Sequence, residues 1–162
     1  MPHENVALIR RFYAALHRGE AAEMARCYAP DATFSDPFFH DLRGPEVPGM
    51  WDMLLGSAER MSVVADEIEA DATTGSAHWV ATYPFSKSGR DVVNDVRARF
   101  RFRDGLIVEH VDVFDARRWG VQAIGFKGNA LALPPLRGML ARSLRKELTA
   151  HLAGDGAADP AS

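Results

Sequence analysis

Between Asn5 and His17 the apolar residues Val6, Leu8, Ile9, Phe12, Tyr13 and Leu16 return every three or four positions, the spacing of one stripe on a helix. Gly19 ends that helix. A shorter helix is predicted over Glu20 to Tyr28 with Met24, Cys27 and Tyr28 inward. It stops at Ala29-Pro30-Asp31, because proline excludes the residue before it from helical geometry. Ala32 to Asp36 reads as a short strand ended by Pro37, and Asp41 to Pro48 as a turn-rich loop. A third helix is predicted from about Gly49 to Glu59, carrying Trp51, Met53, Leu54 and Leu55.

The period then changes to two. Met61 to Ala70, Ser76 to Ser86, Asp91 to Arg103 and Leu106 to Asp115 all read as strands, joined by short hairpin connections. The third alternates most cleanly: Arg97, Arg99, Arg101 and Arg103 share one face, and Val96, Ala98, Phe100 and Phe102 the other. Trp119 to Phe126 is predicted to make a turn of helix. Pro134-Pro135 opens a terminal helix with Leu136, Leu140, Leu144 and Leu148 four apart, an apolar stripe that covers the domain or a partner subunit. Its other face carries Arg137, Arg142, Arg145 and Lys146 and reads as solvated, with an anionic membrane surface as the alternative. Helices followed by a run of antiparallel strands argue for an α+β fold.

These elements divide the chain into a domain over 1–126, an extension with an amphipathic helix over 127–153, and a Gly/Ala/Asp-rich disordered tail over 154–162. With 162 residues, 47% of them hydrophobic, there is material for one core. A net charge of -3, spread along the chain, creates no field for a polyanion, so nucleic acid is not an expected partner. The start Met1-Pro2-His3-Glu4-Asn5 lacks a cationic segment followed by an apolar one, and no stretch is long enough for a membrane span. The expectation is a soluble cytoplasmic protein.

His110 and Asp112 lie two apart on a strand, which places both on one face with Val108 and Phe114. Two titratable groups among apolar neighbours suit acid/base chemistry, and they equally suit a buried pair that satisfies itself without turnover. Asn94, on the face of Val96, is a third polar candidate. Asp36, at a strand end before Pro37, is either a proton-transfer carboxylate or the cap of its own turn. Cys27, the sole cysteine, reads as a small buried hydrophobe. A metal site would need a third ligand beyond His110 and Asp112, with only His40 or His78 to suggest, so no metal is expected. No nucleotide or nucleophile-elbow motif is present, and no cofactor is expected.

Two stretches, Tyr28 to Phe38 followed by Arg43-Gly44-Pro45-Glu46, and Phe100 to Asp115, resemble the nuclear-transport-factor-2-like superfamily, in particular its ketosteroid isomerase and SnoaL-like branch. With the N-terminal helices, the resemblance covers about residues 4 to 126. It implies a cone-shaped, cystatin-like roll, with N-terminal helices packed on a curved, mixed, mostly antiparallel sheet, and an extra helix at the C-terminus. It also implies a homodimer and a pocket for a small hydrophobic molecule. Asp36 matches the isomerase's proton-shuttling aspartate, while that enzyme's two oxyanion donors fall on Phe12 and Ala98, which argues against steroid isomerisation by that mechanism unless Tyr13, Tyr83 or Trp51 supplies a donor from elsewhere. Asp112 matches the acid/base aspartate of SnoaL-like cyclases and one member of the Asp-Arg-Asp triad of limonene epoxide hydrolases. Completing that triad needs an inward arginine, yet Arg97 and Arg99 have outward parity.

The expected activity is cofactor-independent acid/base catalysis, as an isomerase, cyclase or related lyase, on a carbonyl or polyketide-like compound. A non-catalytic ligand-binding or dimeric interaction module is the alternative, and an epoxide hydrolase the second. The candidate catalytic residues are Asp112, His110 and Asp36; Trp51, Tyr83, Asn94, Phe100 and Tyr13 are the candidate substrate contacts.

Overall fold

The structure is a computed structural model and describes residues 1–58 and 60–157. Helix α1 (Glu4–Arg18) buries the predicted stripe, with Ile9, Phe12 and Leu16 fully enclosed, and ends where Gly19 takes a left-handed φ of 72°. Helix α2 (Ala21–Arg26) is shorter than expected, because Tyr28 already belongs to strand β1 (Tyr28–Ser35). Pro30 does not interrupt that strand. The register between β1 and its neighbour shifts between Tyr28 and Thr33, so the proline sits in an irregular stretch that asks no ladder hydrogen bond of it.

A two-residue strand, β2 (Leu42–Arg43), precedes helix α3 (Glu46–Ser57). This helix starts ahead of its predicted position because Pro48 falls in the first turn, where a missing N–H leaves nothing unsatisfied. Strands β3 (Ser62–Ala70), β4 (Thr74–Pro84), β5 (Asp91–Arg103) and β6 (Leu106–Val113) follow the predicted spans closely. The chain closes with α4 (Ala116–Ile124), a 3-10 segment (Gly125–Ala132) and α5 (Pro134–Ala157). Asp115, expected to end a strand, instead caps α4 by accepting from the Arg118 amide at 3.0 Å.

The six strands form one open sheet in the order β2-β1-β6-β5-β4-β3, with β1 and β6 parallel and every other neighbour antiparallel. This is the expected α+β roll with its extra helix. Alternation assigns the faces: Ala77, Trp79, Ala81, Val96, Ala98, Phe100 and Phe102 join α1 and α3 in the core, while Arg97, Arg99, Arg101 and Arg103 are exposed on the other face.

The terminal helix covers this chain's own core. Leu148 is fully buried, with Leu140, Leu144 and Leu152 packed beside it, and Gly49 of α3 lets the Leu148 and Leu152 side chains approach. The stripe therefore sits one turn later than predicted, and Leu136 is exposed. Its basic face is partly engaged, since Arg145 pairs with Glu46 and donates to the His40 carbonyl. The backbone stays helical to Ala157, past the expected start of the tail at Gly154; residues 158–162 of that tail lie outside the described residues. No described helix is long and apolar enough to cross a membrane.

Candidate active site

Strand β6 lies between β1 and β5, and its alternation sends His110 and Asp112 into the core. Register places Phe34 and Phe100 on either side of His110, and the small Ala98 beside Asp112. His110 has no exposed surface and Asp112 retains only 3%. They are joined by a 2.8 Å contact from His110 Nε2 to Asp112 Oδ1. Burial at this depth is tolerable only because the two groups satisfy each other and draw further partners.

Those partners fix the direction of a chain. Trp51 Nε1 donates to the Tyr28 hydroxyl at 3.0 Å, and that hydroxyl lies 2.7 Å from His110 Nδ1. Indole can only donate, so the Tyr28 oxygen is an acceptor there and its own hydrogen goes to His110 Nδ1. The ring hydrogen is thereby assigned to Nε2, which donates to Asp112; a hydrogen on Nδ1 as well would leave the Tyr28 hydrogen without a described acceptor. Trp79 Nε1 adds a longer contact of 3.5 Å to the same Asp112 oxygen. Oδ2 has no hydrogen-bond partner among the described residues.

Aromatic rings enclose the histidine. Phe100 lies 4.5 Å from it between ring centres, Phe34 5.0 Å and Phe12 5.5 Å, while Trp51 and Tyr28 stack on it at 6.3 and 6.1 Å. Tyr13 of α1 completes the setting. Its hydroxyl is buried and is the one buried side-chain polar atom among the described residues with no hydrogen-bond partner. Burial pushes its pKa well above the ordinary phenol value, and the charge of Asp112 and then Tyr28 pushes the same way. Tyr13 is thus a phenol held as a donor with nothing yet to donate to. Burial also raises the pKa of Tyr28, against the opposing hydrogen bond from Trp51.

Asp36 stands apart from this chain. Its Oδ1 accepts the amides of Phe38 and Phe39 at 2.7 and 2.6 Å, which makes it the cap of its own turn. Burial nevertheless lifts its pKa to about 7; the two amides oppose the rise and the charge of Asp112 adds to it. Tyr83 senses the Asp36 charge, and its hydroxyl accepts from Trp119 Nε1 of α4 at 2.8 Å. Asp36 and Tyr83 therefore mark the edge of the interior closed by α4, where Trp119 also packs on Phe38 at 4.9 Å.

Of the sequence-predicted residues, the structure gathers His110, Asp112, Trp51, Phe100 and Tyr13. It places Asp36 and Tyr83 together at that edge. Asn94 is half-buried opposite Ala81, with no side-chain hydrogen bond among the described residues. Tyr28 and Trp79 complete the network and were not singled out from sequence as part of a site. The signal for Trp79 is its parity between inward Ala77 and Ala81; Tyr28 was hidden by the helix boundary. Arg97 and Arg99 are exposed on the opposite face, so the Asp-Arg-Asp triad is not assembled.

His110 and Asp112 have no third metal ligand among the described residues. The group with metal-ligand spacing is Asp66, Glu67 and His78 on the outer face. There His78 is held between Asp66 at 2.6 Å and Asp95 at 2.8 Å, and Glu67 pairs with Arg97. The hydrogen bond to Asp66 raises the His78 pKa, which makes this arrangement an ion-pair network in its own right.

Comparison with known proteins agrees with this architecture. The family model described as SnoaL-like domain matches residues 9–110. No curated protein matches. Among solved structures, TsrD from Streptomyces laurentii superposes with a TM-score of 0.66 at 20% identity, covering 78% of this chain and 99% of its own. IdmH from Streptomyces antibioticus, described as a candidate polyketide cyclase, gives 0.64 at 21% identity over 74% and 98%. An LEH-like epoxide hydrolase of M. tuberculosis gives 0.61 at 21% identity over 81% and 96%. These likenesses show a shared fold.

Proposed function

The chain belongs to the SnoaL-like domain family, and from that premise we propose that it is a cofactor-independent acid/base enzyme acting on a small hydrophobic carbonyl compound. The observation that carries this reading is the burial of both Asp112 and the unpartnered Tyr13 hydroxyl in one apolar interior, close enough for the Asp112 charge to be felt at Tyr13. Asp112 removes a proton from a carbon next to the carbonyl, and the Tyr13 O–H donates to the oxygen on which charge develops. Return of the proton to another carbon gives isomerisation; attack of the enolate on a second carbonyl gives ring closure. His110 and Trp79 are positioning residues that hold Oδ1 and leave Oδ2 for the substrate. Asp36, whose pKa burial lifts to about 7, exchanges protons at the edge of the interior in this reading.

The ring packing around His110 favours one rival, a module that binds a ligand without turning it over. Epoxide hydrolysis retains only Asp112 in its support. The homodimer implied by the family resemblance belongs to this proposal, with the outer sheet face as its surface.

Incubation with enones, aromatic diketones, steroids and terpenoid epoxides, followed by mass spectrometry, separates the readings. Conversion by wild type and unaltered recovery from Asp112→Asn is the expected result. Ligands that bind both proteins equally and return unchanged from both establish the binding module.

A further inference from the structure

Outside the buried network, one groove combines apolar walls with unspent positive charge. It measures about 510 Å³ and is lined by Pro37, Phe114 and Ala132 together with His40, Arg117 and Arg137. The geometry points to this groove as a binding site for an organic anion, a carboxylate or phosphate monoester on an aromatic or alicyclic body, whose charged end meets Arg117 and Arg137. This deepens the proposed function by naming a substrate class, and it rests on that reading.

Charge is the first ground. From Ala116 to Lys146 the chain contains no Asp or Glu but carries Arg117, Arg118, Lys127, Arg137, Arg142, Arg145 and Lys146, in a protein whose net charge is -3. The positive charge is therefore concentrated in the C-terminal elements that form one wall of the groove. Elsewhere Arg18, Arg43, Arg97 and Arg103 are each paired with a carboxylate, as is Arg145 beside the groove.

Arg117 and Arg137 are not. Arg117 spends only Nε, on the Asn129 side chain at 2.7 Å, and Arg137 makes only a 3.5 Å contact to the Leu131 carbonyl. Their remaining guanidinium donors have no partner among the described residues, and a guanidinium fork suits a carboxylate or phosphate. The one carboxylate lining the groove, Asp115, already accepts the Arg118 amide at the start of α4.

Position is the second ground. Phe114 packs on Phe38 at 5.5 Å between ring centres, and Phe38 on Trp119, so the groove adjoins the edge marked by Asp36 and Tyr83. An anion held by the two arginines leaves its apolar body on Phe114 and Pro37, beside the Phe38 and Trp119 rings at the edge of the core.

Isothermal titration of cinnamate, cinnamyl alcohol and phenyl phosphate tests the site. Cinnamate is expected to bind wild type, about tenfold more weakly to Arg117→Gln or Arg137→Gln, and not measurably to the double variant. The affinity should fall with salt, and cinnamyl alcohol should bind far more weakly than the acid. Arg142→Gln is expected to bind as wild type does, and a thermal melt shows whether the double variant is folded. Stronger binding of phenyl phosphate, lost in the same variants, assigns the site to phosphate monoesters. The inference is overturned if neither anion binds, if acid and alcohol bind alike, or if the folded double variant binds as wild type does. Asp112→Asn should bind cinnamate normally, so failure of the site and failure of the acid/base reading are separate results.

Discussion

Tyr13 and Tyr28 sit in the same apolar interior with opposite hydrogen-bond accounts. Tyr28 accepts from Trp51 and donates to His110, whereas the Tyr13 hydroxyl has no partner. Tyr28→Phe strands two buried groups, at about 1–3 kcal/mol each, so its Tm should fall by several degrees. Tyr13→Phe removes an unsatisfied group, so its Tm should hold or rise while turnover falls. A clear drop in Tm for Tyr13→Phe would show that its hydroxyl is structural. Asp36 offers a pH test. Its folded pKa of about 7 lies above the ordinary 3.8, so the folded state keeps a proton that the unfolded chain has lost over that interval. Its contribution is full below about pH 4 and declines as pH rises to about 7. Melts across this range should show that decline in wild type and a flatter profile in Asp36→Asn, whose side-chain oxygen can still cap the turn. At this scale parity made His110 and Asp112 legible from sequence. Tyr28 was not, because reading it required the helix boundary and a contact with residues far along the chain.

Among the elements, the strands were the most legible, because alternation over eight or more residues fixes both type and face. The start of β1 and of α3 escaped for one physical reason: each holds a proline where no backbone donor is needed, in an irregular stretch of the sheet and in a first helical turn. The closing elements depend on contacts that no periodicity encodes. Gly128 of the 3-10 segment lies directly against Gly120 of α4, and an added Cβ would fall 1.9 Å from the Gly120 carbonyl carbon. Because that neighbour is backbone, Gly128→Ala should separate the two elements and be strongly destabilising in a thermal melt, whereas Gly138→Ala, with 3.6 Å of clearance, should be nearly silent. Leu148→Ala should cost about 2–5 kcal/mol by urea unfolding, since the residue it truncates is fully enclosed.

As a whole, the molecule closes its interior with its own C-terminal elements and leaves the other sheet face open. Val64, Val93 and Val113 are exposed there beside the arginine row. If that face meets a second copy, sedimentation should give a dimer for wild type and a monomer for Val113→Glu; a wild-type monomer would remove the dimer from the account. The fold was legible as a whole because it follows from element order. The candidate site was legible only as the inward pair His110 and Asp112, and the sequence did not choose among activities, since one fold carries many.

Under the proposed function, Asp112 moves protons at carbon. This is tested most directly by proton NMR in D2O, following loss of the signal next to the carbonyl in a panel of enolisable hydrophobic ketones. Wild type should accelerate exchange of at least one ketone well above buffer, Tyr13→Phe should retain part of that rate, and Asp112→Asn should fall to the buffer rate. Exchange by Asp112→Asn as fast as by wild type, or no acceleration of any ketone by wild type, would contradict it.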